Sequence, residues 1–101
     1  MMNEQNATTI EQLGGFGKLS AMLGAHGFTY DNEACRVSFK FKGSRKANAV
    51  TVTYDRGADL YNVTIYKLAR FDVRTVLEVE GLDTAQMRET FERTTGLYLS
   101  L

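Results

Sequence analysis

The residues best suited to chemistry lie between two strand-like runs. In the stretch VSFKFKGSRKANAVTVTY (37–54), the loop carries Gly43, Ser44, Arg45, Lys46 and Asn48. Arg45 presents a planar fork that can grip a phosphate or carboxylate through two oxygens, and Lys46 adds a point charge. Gly43 and Ser44 leave backbone N–H groups approachable, and Asn48 offers one donor and one acceptor group. Lys40 and Lys42 extend the charge along the preceding strand. Tyr66, on the outward row of a later strand, supplies a ring on which a base can stack. Lys40, Lys42, Ser44, Arg45, Lys46, Asn48 and Tyr66 are therefore the candidate partner-binding set, and the chemistry they suggest is the holding of an anion. The competing reading is structural, because charged hairpin loops also keep a sheet soluble and guard its edges.

Other chemistry finds little support. His26 is the single histidine and Cys35 the single cysteine, which leaves no metal-ligand set of the usual spacing. A Cys35–His26 nucleophile pair is conceivable in principle. Simpler roles account for both, Cys35 as a small residue beside a turn and His26 as a group favoured at a helix C-terminus. The acids fall in turns and helix ends, where capping explains them. Gly14, Gly15, Gly17 and Lys18 lack the preceding strand and the Lys-Ser/Thr pair of a phosphate loop. The expectation is a protein without catalytic residues, metal or cofactor.

Those residues must be positioned by a single domain of 101 residues, long enough to bury a core without staples. A lone cysteine fits a reducing compartment, and the polar start MMNEQNATT has no apolar segment of a leader, so a cytoplasmic location is expected. No run is apolar enough to span a membrane. Net charge is zero but segregated: nine Lys/Arg lie between Arg36 and Arg74 against Asp55, Asp59 and Asp72, and the remainder holds three bases and nine acids. A basic middle fits an anionic partner; ordinary intramolecular ion pairing is the alternative.

Residues 1–8 read as a disordered lead-in to a domain over 9–101. Thr8 with Glu11, or Thr9 with Gln12, has capping-box spacing, and Ile10, Leu13, Phe16, Leu19, Met22 and Leu23 recur at helical spacing. The glycines at 14, 15 and 17 leave open one helix or two. Strands are expected over 28–30, 34–42, 49–54, 60–68 and 71–80. In the last, Phe71, Val73, Thr75, Leu77 and Val79 alternate against Asp72, Arg74, Val76 and Glu78. Asp83 with Gln86 marks the N-terminus of a final helix, with Leu82 and Met87 placed as a staple, Phe91 inward and Gly96 just past its end. The apolar tail 97–101 packs on the sheet or adds an edge strand. The fold class is α+β: an antiparallel meander of four to five strands with one or two helices on one face. Ser38, Lys40, Thr51, Thr53, Asn62, Thr64, Tyr66, Arg74 and Glu78 make up the open face.

The order LGG (13–15), GAHGFTY (24–30), VSFKFKGSRKANAVTVTY (37–54), DLYNVTIYKL (59–68) and TGLYLSL (95–101) resembles a family of short phage and mobile-element proteins of uncharacterised function. Its strongest parts are Lys46-Ala47-Asn48, Asp59-Leu60-Tyr61-Asn62-Val63 and Thr95-Gly96-Leu97-Tyr98. The resemblance implies a phage, prophage or conjugative element acting inside a bacterial cell, and it carries no catalytic residue. The leading expectation is a non-enzymatic accessory protein that binds a protein or nucleoprotein partner, in the manner of an anti-CRISPR-type inhibitor of a host defence system. Direct binding of single-stranded nucleic acid through the basic hairpin is the alternative. A homodimeric assembly protein, joined through the apolar tail or a sheet edge, is a third.

Overall fold

A computed structural model describes residues 1–99. Helices α1 (Glu4–Leu13) and α2 (Phe16–Leu23) precede strands β1 (His26–Asp31), β2 (Arg36–Lys40), β3 (Ala49–Asp55), β4 (Leu60–Ala69) and β5 (Asp72–Leu82), and helix α3 (Thr84–Thr95) follows. The strands form one antiparallel sheet in the order β1-β2-β3-β4-β5. Short connections favour that meander, since each strand pairs with its sequence neighbour. The fold is the expected α+β antiparallel meander, with five strands and with three helices where one or two were expected.

Alternation sets the layers. Val37 and Phe39 of β2, Val50 and Val52 of β3, and Tyr61, Val63 and Ile65 of β4 are buried in register on one face. The helices cover that face with Ile10, Leu13, Leu19, Leu23, Met87 and Phe91. Full burial of each such side chain contributes about 1.5–3 kcal/mol. A row of rings runs through this core from Phe28 to Phe39, Phe41 and Phe91, with centroids 5.1, 6.4 and 5.2 Å apart. α3 begins at the expected capping box, where the Asp83 side chain accepts from Gln86 N–H and the Gln86 side chain accepts from Asp83 N–H.

The start of the chain corrects the expected lead-in. α1 begins at Glu4, not near Thr8 or Thr9, and Asn3 is its N-cap, accepting from Asn6 N–H at 2.8 Å. The cap is tied to the β1–β2 turn. Asn3 N–H donates to Asn32 Oδ1 at 2.9 Å, Asn3 Nδ2 to the Asn32 carbonyl at 3.1 Å, and the buried Asn6 donates to Asp31 O and Asn32 Oδ1 at 3.2 Å each. Polar residues therefore order this segment by bonding across the fold as well as along the chain. Thr9 donates back to the Gln5 carbonyl within the helix and caps nothing. The glycines separate two helices: Gly14 and Gly15 have φ of +129° and +88°, values that side chains with a Cβ rarely adopt.

β5 corrects the expected alternation. The strand starts at Asp72, leaving Arg70 and Phe71 in the turn. Ile65 pairs with Leu77 but Tyr66 with Thr75, so Val76 is an extra residue and the phase reverses there. Thr75 and Val73 consequently lie on the open face with Tyr66 and Leu68, whereas Arg74 turns to the helix side opposite Lys67. A second irregularity lies between Tyr61 and Val63. At the C-terminus, Leu99 is buried and Leu97 half-buried, outside any strand. The last two residues of the expected tail segment, Ser100 and Leu101, lie outside the described residues.

Candidate functional site: the basic end of the sheet

Antiparallel pairing brings the start of β1, the end of β2, the β2–β3 loop, and the β4–β5 turn to the same end of the sheet. His26 pairs with Lys40, Lys40 with Ala49, Ala49 with Tyr66, and Lys67 with Arg74. That end gathers Lys40, Lys42, Arg45, Lys46, Lys67, Arg70 and Arg74, most of them exposed, against one strand carboxylate, Asp72. The opposite end carries Asp31, Glu33, Asp55 and Asp59 with Arg36 and Arg56. Among the described residues the one ion pair is Arg93–Glu89 within α3, so no carboxylate pairs with a cation of the basic end. The +6 excess counted along the middle of the sequence is thus concentrated further by the fold, to one end of one layer.

The loop between β2 and β3 is a pinned structure. Phe41 N–H donates to the Asn48 carbonyl at 2.9 Å, and Lys42 N–H donates to the Leu23 carbonyl at 2.8 Å. Phe41 and Ala47 are buried, which leaves Arg45 and Lys46 as its exposed crest. Ser44 accepts from Lys46 N–H at 3.2 Å and shapes the crest. Gly43 has φ of +97°, and a Cβ there would stand 3.2 Å from Leu97 Cδ2, so the loop rests directly on the C-terminal tail. Asn48 is the residue whose place differs most in kind from expectation. Its side-chain donor and acceptor are both engaged by the backbone of Leu68, at 2.9 and 2.7 Å. It holds the loop against β4, which leaves one amide N–H beyond the bond to Leu68. Arg45, Lys46, Lys40 and Lys42 remain outward, the stems of Lys40 and Lys42 lying over Gly27 and Gly24.

Tyr66 joins the same end. Its hydroxyl lies 3.1 Å from Thr51 Oγ1, which lies 2.8 Å from Ser38 Oγ, a row of hydroxyls across three strands. Ala49, its direct cross-strand partner on the open face, is only 1% exposed. Beside the ring is a cleft of about 310 Å³ lined by Gly27, Thr29, Ser38, Phe39, Lys40, Tyr66 and Leu68. The cations Lys67, Arg70 and Arg74 and the apolar Phe71 and Val73 were not among the expected site residues. Phe71 is 92% and Val73 64% exposed. Arg70 stacks over the Phe71 ring with its guanidinium carbon 5.7 Å from the ring centre. Lys67, Arg70 and Arg74 were visible in the sequence by type, but the pairing of Lys67 with Arg74 and the bulge that turns Val73 outward were not.

His26 and Cys35 are kept apart. His26 opens β1 at the basic end, with Nδ1 2.9 Å from the Gly24 carbonyl. Cys35 is buried in the turn at the far end, across roughly 16 Å of strand. They form no dyad. No group of three or more ligating side chains occurs among the described residues. No helix among them is long and apolar enough to cross a membrane. Comparison with known proteins adds no relative: no family model, curated protein or solved structure matches the chain.

Proposed function

We propose that this protein works by binding, without catalysis, and that its basic end holds the phosphate backbone of a nucleic acid. The observation that carries this reading is the gathering of seven cations at one end of the sheet, free of ion pairs with the described carboxylates. Side chains that stay unpaired beside like charges raise the local potential, and a polyanion with a condensed counterion atmosphere is the partner that gains most from it. Arg45 and Lys46 form the crest, with Lys40 and Lys42 on one side and Lys67, Arg70 and Arg74 on the other. Fluorescence anisotropy with short single-stranded DNA, duplex DNA and RNA, at low and moderate salt, tests it. Salt-sensitive binding that disappears in the Arg45→Glu/Lys46→Glu variant is the expected result. No binding to any of them at low salt overturns it.

A second reading is favoured by the bare apolar side chains of Phe71 and Val73, which suit a protein partner. Together with the likeness to short mobile-element proteins, they fit an accessory protein that occupies the nucleic-acid channel of a host defence effector. Adding the protein to a purified RNA-guided effector and measuring target binding decides between the two. Inhibition without affinity for free nucleic acid supports this second reading, and unchanged target binding removes it.

A further inference from the structure

The cleft on the open face is more specific than the charge around it. Its walls come from three strands and differ in chemistry. Tyr66 and Leu68 form an apolar side, Ser38 and Thr29 bring small hydroxyl groups, and Lys40 stands at the rim. Gly27 keeps the opposite wall low, and the stem of Lys40 lies against the space a side chain there would take. The Tyr66 ring is held in place, since its hydroxyl is fixed to Thr51 and that hydroxyl to Ser38. A prefixed ring loses little freedom when another planar group is laid against it. The bulge at Val76 places Val73 beside Leu68 on this face, lengthening the apolar wall towards the Arg70–Phe71 turn. At about 310 Å³ the cleft is at the small end of ligand sites and suits one planar ring system rather than an extended ligand.

We propose that this cleft receives a single unstacked base of a single-stranded nucleic acid, resting on the proposal that the basic end binds the backbone. The base lies against Tyr66 and Leu68, the hydroxyls of Ser38 and Thr29 meet its polar edge, and Lys40 takes the adjoining phosphate. Arg45, Lys46 and Arg70 hold phosphates on either side. Duplex DNA keeps its bases stacked and presents none to the cleft, so the site selects single strands. Because many bases have a similar flat face and the polar lining is hydroxyl, selection among bases is weak.

The test compares a labelled ten-residue oligothymidine with an oligomer of equal length and phosphate number that lacks bases, using the unaltered protein. Oligothymidine binds at least about tenfold more tightly if one base stacks in the cleft. The Tyr66→Ala variant loses that difference while its affinity for the abasic strand is unchanged, and Tyr66→Phe, which keeps the ring, retains it. Photocrosslinking with 5-bromouracil in the oligomer, mapped by mass spectrometry, labels Tyr66 and requires no variant. Equal affinity for the two oligomers, or crosslinks confined to Phe71, overturns the cleft assignment and leaves backbone binding standing. Absence of binding to both, even at low salt, overturns the backbone reading and the cleft with it.

Discussion

Asn48 and Leu68 are joined twice although twenty residues separate them: the amide nitrogen of Asn48 donates to the Leu68 carbonyl, and its oxygen accepts from the Leu68 N–H. The side chain thereby acts as one more peptide unit in the β3–β4 ladder, just beyond the last regular pair, Ala49 with Tyr66. This double bond of side chain to backbone fixes the cation-bearing loop relative to the strand that carries Tyr66. Asn48→Ala leaves both Leu68 groups without that partner and is expected to destabilise the fold by about 1–3 kcal/mol. Urea unfolding measures the loss. The same variant, although its charge is unaltered, binds oligonucleotides more weakly than the parent. Unchanged stability shows that water replaces the amide without cost.

Arg45→Glu/Lys46→Glu makes the opposite separation. Both residues are exposed on the crest, so stability changes by no more than about 0.5 kcal/mol. Binding falls sharply, and the slope of log affinity against log salt becomes shallower by about 0.7 for each single-strand phosphate contact removed. A loss of affinity with an unchanged slope places these residues outside the contact.

The asparagine clamp at the start of the chain has its own signature. Asn32→Ala removes the acceptor used by Asn3 N–H and Asn6 Nδ2 and the donor to the Met1 carbonyl. A loss of about 1–3 kcal/mol is expected, because Asn3 N–H loses its acceptor and buried Asn6 keeps only the Asp31 carbonyl. Hydrogen exchange of the first turn of α1 then rises towards that of a frayed end. Full protection there shows the clamp to be dispensable.

Cys35 is buried at a positive φ of 54°. Its thiol therefore reacts with a bulky disulfide reagent only when the protein opens, at a rate that follows stability. Cys35→Ala retains oligonucleotide binding. Rapid stoichiometric labelling of the native protein contradicts the burial.

Tyr54 donates to the Asp59 carboxylate, and that bond holds its phenol above the ordinary value of 10.0, with burial and the carboxylate's charge adding in the same direction. The native state thus keeps this proton more tightly than the unfolded chain. The associated stability is complete below pH 10 and fades as pH rises through the native value. Subtracting the tyrosinate absorbance titration of Tyr54→Phe from that of the parent isolates one phenol titrating above pH 10. A midpoint at or below 10 removes the Asp59 bond in solution.

Much of the layer structure was legible because burial imposes a period. Val37, Phe39, Val50, Val52, Val63 and Ile65 repeat every second position, and Asp83, Gln86 and Gly96 bracket α3 with local signals. The misreadings share one cause, contacts between residues distant in sequence. Asn3 and Asn6 order the first turn through Asn32, which no local pattern announces. Val76 breaks the alternation of β5 at a bulge that composition does not mark, and so Val73 and Arg74 exchange faces. The cations of the β2–β3 loop were legible by type, but their union with Lys67, Arg70 and Arg74 required the pairing of β4 with β5. Asn48 was legible as a polar loop residue; that its amide would be used internally was not.

The separation of charge between the two ends of the sheet also gives this layer a permanent dipole along the strands. In the field of a polyanion such a layer is turned before it touches, and it approaches with Arg45 and Lys46 leading. Encounters are then productive more often than random orientation allows, so association is faster than the zero net charge suggests. Added salt should slow arrival before it hastens departure.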